Sequence, residues 1–225
     1  MGFPHAAFDR LDENFQENQE ILVVKDFPLV TETSQEEYAH ALVEVLEDLS
    51  YLEEPMLVLF TSKDLLLQVS DSLSLSHLAQ YKNGDPAQLK KRFERGDSQL
   101  LLGTGSFWEG VDFATHARVI EVVTRLPFQN PEDPFTKKMN QELRLEGKNP
   151  FYDYQLPMAI IRLKQAIGRT MRRLGQRSSV LILDSRMTSK RYGKQIGKAL
   201  SQTSRVREVG KEQVFSKVQE FLHTK

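Results

Sequence analysis

The chain has 225 residues, 40% hydrophobic and 27% charged, which is enough apolar content for one large core in a water-facing domain. It contains no cysteine, which excludes disulfides, thiolate metal sites and cysteine nucleophiles, and its five histidines (His5, His40, His77, His116, His223) share no metal-ligand spacing, so no metal is assigned. The formal net charge of -1 hides an asymmetry: the chain is acidic up to Glu54, then strongly basic from Arg162 to Lys198, where Asp184 is the one carboxylate.

In chain order, residues 1–20 read as an irregular start without the basic and apolar stretches of a signal peptide. Residues 21–225 read as a single domain. Ile21 to Val24 is a short strand. Ser34 followed by Glu37 forms a capping-box pattern that opens an amphipathic helix from Gln35 to Leu49. Met56 to Phe60 is a continuous apolar run, the mark of a strand covered on both faces. Thr61-Ser62 then caps a helix from Lys63 to Leu73. Gln88 to Arg95 is helical, while Gln99 to Leu102 and Arg118 to Thr124 are buried strands. Residues 127–157 form an irregular excursion carrying a helix from Pro134 to Glu146. A long helix is predicted from Gln155 to Leu174, then a strand from Val180 to Leu183, a helix from Ser189 to Leu200 and a last helix from Lys211 to Leu222. No apolar run approaches the roughly 20 residues that cross a bilayer, so no membrane partner and a cytoplasmic location are expected.

Alternating strands and helices with apolar strands predict an α/β fold, a mostly parallel sheet flanked by helices. Ligands of such sheets bind at the carboxyl ends of the strands. Three predicted strand ends run into polar text: Thr61-Ser62, Gly103 to Asp112, and Asp184-Ser185-Arg186. Thr61 and Ser62 suit a backbone phosphate at a helix N-terminus, or plain N-capping. Arg186 suits a phosphate, or a salt bridge with Asp184.

The basic segment faces either a polyanion or solvent. Around a helix at about 100° per residue, Ile160, Leu163, Ile167, Met171 and Leu174 make one apolar stripe, with Gln165, Arg169 and Arg172 opposite and Arg162 beside them. Guanidinium forks bind phosphate oxygens bidentately and keep their charge. Gly168 lowers helix propensity by roughly 1 kcal/mol relative to alanine, which suggests close approach of another backbone or a ligand.

Three stretches share the chain in order: MLVLFTSKDLL, GTGSFWEGVDF and LKQAIGRTMRR. Together they resemble motifs IV, V and VI of superfamily 2 helicases of the DinG/XPD-like family, closest to the bacterial DinG branch. The intervening LPFQNPEDPF and NPFYDYQLP are also similar to that family, and the resemblance runs from about Phe15 to Leu200. It implies a RecA-like fold and an ATP-dependent DNA helicase. It further implies that Gln165, Arg169 and Arg172 face the γ-phosphate of ATP with Mg2+, the two arginines acting as fingers. Glu109, Gly110 and Asp112 are then expected on the nucleotide side. Thr61, Ser62, Ser106, Trp108 and Arg186 are candidates for single-stranded DNA. Phe107 and Trp108 either stack on bases or anchor their loop to the core.

A dinucleotide loop is excluded, because Gly103-x-Gly105 lacks the third glycine of G-x-G-x-x-G. Neither Gly2 nor the Gly103–Gly105 loop is followed by Gly-Lys-Ser/Thr at the Walker A offset, and there is no acidic Walker B box. The chain is therefore expected to be the C-terminal lobe alone, inactive by itself and partnered by an N-terminal lobe that holds the ATP. The competing readings are a free-standing nucleic-acid-binding module and a regulatory α/β domain whose basic segment docks an acidic protein.

Overall fold

The computed structural model describes residues 17–109, 111, 113, 115–170 and 175–223. Arg172, Gly110 and Asp112 among the candidates lie outside them, as do Met171 and Leu174 of the apolar stripe. Seven parallel strands form one sheet: β1 Gln19–Val24, β2 Met56–Leu59, β3 Leu78–Ala79, β4 Leu100–Gly103, β5 Arg118–Val123, β6 Arg177–Ile182 and β7 Arg205–Val209. Their spatial order is β3-β4-β2-β5-β6-β1-β7. The helices are α1 Gln35–Ser50, α2 Lys63–Ser72, α3 Pro86–Glu94, α4 Pro134–Leu145, α5 Leu156–Ile167, α6 Arg186–Ser189, α7 Arg191–Leu200 and α8 Val214–His223.

Side chains alternate across each strand, so one strand feeds two cores. Leu22, Val58, Ile120 and Leu181 pack on α1, α2 and α8. Ile21, Leu57, Val119 and Val180 pack on α3, α5, α7 and the turn after β4. Parallel strands buried on both faces explain the uninterrupted apolar runs. Among the described residues no helix is long and apolar enough to cross a membrane.

The predicted capping box forms: the Ser34 hydroxyl accepts from the Glu37 amide at 3.2 Å and the Glu37 carboxylate accepts from the Ser34 amide at 3.1 Å. Two strands were missing from the sequence reading, and both are edges. β3 is two residues long, and β7, Arg-Val-Arg-Glu-Val, carries charge on an edge that needs it to resist further pairing. Of the helix predicted from Gln155 to Leu174, the described residues are regular from Leu156 to Ile167, and residues 171–174 lie outside them. A π-helical turn, Phe151–Gln155, precedes it, and Gly168 follows it as the cap. Among the described residues, a Cβ on Gly168 would meet only the Lys164 carbonyl, at 3.0 Å. The helix predicted from Ser189 to Leu200 is α7, starting at Arg191; a separate short helix, α6, ends at Ser189, and the extended Lys190 parts the two. Gly193 permits that junction, since a Cβ there would fall 1.9 Å from the Met187 carbonyl oxygen.

Candidate functional site

The polar strand ends come together as predicted. β4, β2, β5 and β6 are consecutive in the sheet. Their carboxyl ends therefore set Thr104-Gly105, Phe60-Thr61, Thr124-Arg125 and Leu183-Asp184 along one rim.

The turn after β4 is a 3-10 helix, Gly105–Glu109. A Cβ at Gly103 would lie 2.3 Å from the Phe107 ring, so only glycine lets that ring seat against the strand. Gly105 has φ +51°, the left-handed region. Gln80 ties the turn down: its Oε1 accepts from the Thr104 amide at 2.7 Å and the Thr104 hydroxyl at 3.1 Å.

Trp108 is 6% exposed and its Nε1 donates to the Phe60 carbonyl at 2.8 Å. The ring thus anchors the turn to the end of β2 and shows only an edge at the cleft, too little for a base to stack on, which corrects the stacking expectation for Trp108. Phe107 is likewise buried. Ser106 and Glu109 are exposed on the turn.

Thr61 is exposed at the end of β2, whereas the Ser62 hydroxyl is taken up as the N-cap of α2, accepting from the Leu65 amide at 3.3 Å. Arg186 is a second correction. Its guanidinium donates to both oxygens of Asp184, at 2.9 Å and 2.6 Å, and Asp184 is 1% exposed and also accepts from the Leu126 amide at 2.7 Å. Arg186 neutralises a buried carboxylate that pins the loop after β5, so its charge is already committed.

On α5, Gln165 and Arg162 are exposed, and Arg169 lies half-buried just past the Gly168 cap. A buried polar network fixes that end of the helix. Gln19 donates to the Ile167 carbonyl at 2.9 Å and to the Thr170 hydroxyl at 2.8 Å. The Ser178 hydroxyl donates to the Thr170 hydroxyl at 2.6 Å, and the Ser204 hydroxyl to the side-chain Oε1 of Gln19 at 2.5 Å. Thr170, beside Arg169, is thereby tied to β1 and β6.

Lys90 on α3 was not singled out from the sequence. Its ammonium lies 5.5 Å from the centroid of the Phe107 ring. Burial lowers its pKa, the Arg169 guanidinium lowers it further, and Glu94 and Glu109 oppose the shift. Lys90, Arg169 and Glu109 therefore share one neighbourhood, joining the end of α5 to the turn after β4. Arg125, also missed, ends β5 with its guanidinium 4.6 Å from the Tyr38 ring centroid and its buried Nε without a hydrogen-bond partner. An arginine immediately after a buried strand, in Val-Val-Thr-Arg, was the available signal.

Beside the rim lies a cleft of about 330 Å3, lined among others by Thr61, Gly105, Trp108, Phe128, Phe135 and Arg162.

Comparison with known proteins matches residues 45–203 to the family described as "Helicase C-terminal domain". The chain is 34% identical over 211 residues to the "3'-5' exonuclease DinG" of Bacillus subtilis (strain 168), covering 90% of this chain and 23% of that protein. It is 34% identical over 149 residues to the "ATP-dependent DNA helicase YoaA" of Escherichia coli (strain K12), covering 66% of this chain and 23% of that protein. The chain thus spans about a quarter of the length of these relatives. Among solved structures it resembles an XPD helicase (TM-score 0.65, 20% identity, 85% of this chain and 35% of that one). It also resembles the C-terminal domain of the DEAD-box protein Dbp5 (TM-score 0.51, 14% identity, 92% of this chain and 98% of that one). Those two likenesses establish the RecA-like fold.

Proposed function

Because the chain belongs to the helicase C-terminal domain family, we propose that it is the second motor lobe of a DinG-type ATP-dependent DNA helicase. The observation that carries this reading is the packing of α5, with Arg169 just past its end, on the β4 turn that bears Glu109, through one buried cluster that holds Phe107, Trp108, Leu163 and Ile167. Arg169 and Lys90 bring a guanidinium and an ammonium, which fit a terminal phosphate, while the nearby carboxylate of Glu109 stands against these cations. Among the described residues no group of acidic side chains gathers to hold a metal ion, and Mg2+ and the phosphate cradle are assigned to an N-terminal lobe. Bound there, Mg-ATP supplies the phosphoryl group that water attacks, releasing ADP and inorganic phosphate.

This chain's part is electrostatic. Arg169, with Arg172 and Gln165, closes on the γ-phosphate and stabilises the charge that spreads over its oxygens in the transition state. The network of Gln19, Thr170 and Ser178 fixes the backbone on either side of Arg169, so that the end of α5 need not rearrange when the lobes close. Glu109, Gly110 and Asp112 are assigned to the nucleotide, and Thr61 and Ser106 to single-stranded DNA. The turn after β4 touches both ligands and couples them.

Trp108 is the single tryptophan and sits within that turn. Titration of the chain with oligo-dT, followed by its fluorescence, should give a saturable change whose affinity falls with salt, by a log–log slope of about -0.7 for each phosphate neutralised. A flat signal, together with no binding by anisotropy of a labelled oligonucleotide, would overturn the DNA role of this lobe.

A further inference from the structure

We infer that the 330 Å3 cleft beside the β4 turn is a base pocket, taking one unstacked nucleobase of the single strand against the ring of Phe135. The inference rests on the proposed DNA role and adds to it a subsite that the backbone contacts of Thr61 and Ser106 do not provide.

Phe135 is the starting point. It is 62% exposed although its position is firmly built. Pro134 occupies the first turn of α4, and the Asp133 carboxylate caps the helix by accepting from the Thr136 amide at 2.9 Å and its hydroxyl at 3.2 Å. Thr136 is the one residue of α4 that is buried, so the helix does not use Phe135 to pack on the domain. An aromatic ring with an open face, carried on a fixed stretch of backbone, is the element from which single-strand stacking sites are made.

The rest of the apolar lining is fixed. Phe60 and Trp108 are locked to each other by the indole hydrogen bond, and Phe128 is wedged between Phe151 and Tyr192 at centroid distances of 5.4 Å and 5.5 Å. The cleft volume is at the low end for ligand sites, a match for one ring system.

Two polar groups supply what a base on its backbone needs. Gln129 lines the cleft, and its Oε1 is buried with no hydrogen-bond partner. Every nucleobase carries an N–H that such an acceptor can take, so the pocket tolerates any sequence. Arg162, exposed on α5 at the same cleft, places a guanidinium where the phosphate of the inserted nucleotide must pass.

The test is oligo-dT binding by the 225-residue chain, read by fluorescence anisotropy across a salt series, for the native protein, Phe135→Ala, Phe135→Trp and Arg162→Gln. Loss of one stacked base should weaken Phe135→Ala by about 5- to 150-fold. Its salt slope should be unchanged, because no charge is removed. Phe135→Trp should restore binding. Arg162→Gln should instead flatten the slope by about 0.7. Circular dichroism checks that α4 persists; because Phe135 makes no core contact, the substitutions should leave the fold intact. Binding by Phe135→Ala within about twofold of native, where native protein binds, would overturn the pocket and leave the DNA role standing. Native protein that does not bind oligo-dT at all would overturn the DNA role and the pocket with it.

Discussion

Glu121 is the group in this fold whose burial has the largest consequence. It lies at the middle of β5, in register with Leu57 on one side and Val180 on the other. It is 1% exposed, and neither carboxyl oxygen has a hydrogen-bond partner. Burial alone raises its pKa from 4.5 to about 8. Between those two values the native protein keeps a proton that the unfolded chain has shed, so stability must fall as pH rises through this window and level off above about 8. At about 1.4 kcal/mol per unit, the loss approaches about 5 kcal/mol, a ceiling that water entering the core would lower. Even half of that is a large share of the roughly 5–15 kcal/mol that holds a domain together. Glu121→Gln keeps the shape and cannot ionise. It should match the native protein near pH 5 and exceed it by several kcal/mol near pH 9 in urea denaturation. Glu121→Met, which removes the unpartnered oxygens as well, should be the more stable at both pH values. Identical pH profiles for native and Glu121→Gln proteins would refute the reasoning.

Three further outcomes follow from the rim and its supports. Gly103→Ala drives a methyl into the Phe107 ring and should destabilise by about 1–3 kcal/mol while shifting the Trp108 emission, since the turn that holds both rings must move. Arg186→Ala strands the buried Asp184 carboxylate and should cost about 3–5 kcal/mol in thermal or chemical unfolding; the salt slope of DNA binding should not change, because that guanidinium is already paired. Thr170→Val deprives Gln19 and Ser178 of their shared partner and should lose about 1–3 kcal/mol, measured by denaturation.

The central fold was legible because its signals are local. Unbroken apolar strands such as Met56 to Leu59, and the Ser34/Glu37 box, act within a few residues, and the structure contains both. The edges were not legible. The charged alternation of β7 reads as a loop until β1 is beside it, and no pattern marks a two-residue strand. The rim was legible as text, since each polar stretch follows an apolar strand, but the state of each side chain was not. Whether Trp108 or Arg186 is available depends on the Phe60 carbonyl and the Asp184 carboxylate finding them in space. Lys90 reaches Phe107 across two elements, a contact that its own sequence surroundings do not disclose.

The most direct test of the account is Arg169→Ala in the assembled helicase, with DNA-stimulated ATP turnover and oligo-dT affinity measured together. The account predicts a fall in turnover of about 10³–10⁵, with single-strand binding retained. A fall of less than about tenfold would contradict the assignment of Arg169 to the γ-phosphate and, with it, the reading of this lobe as the arginine donor.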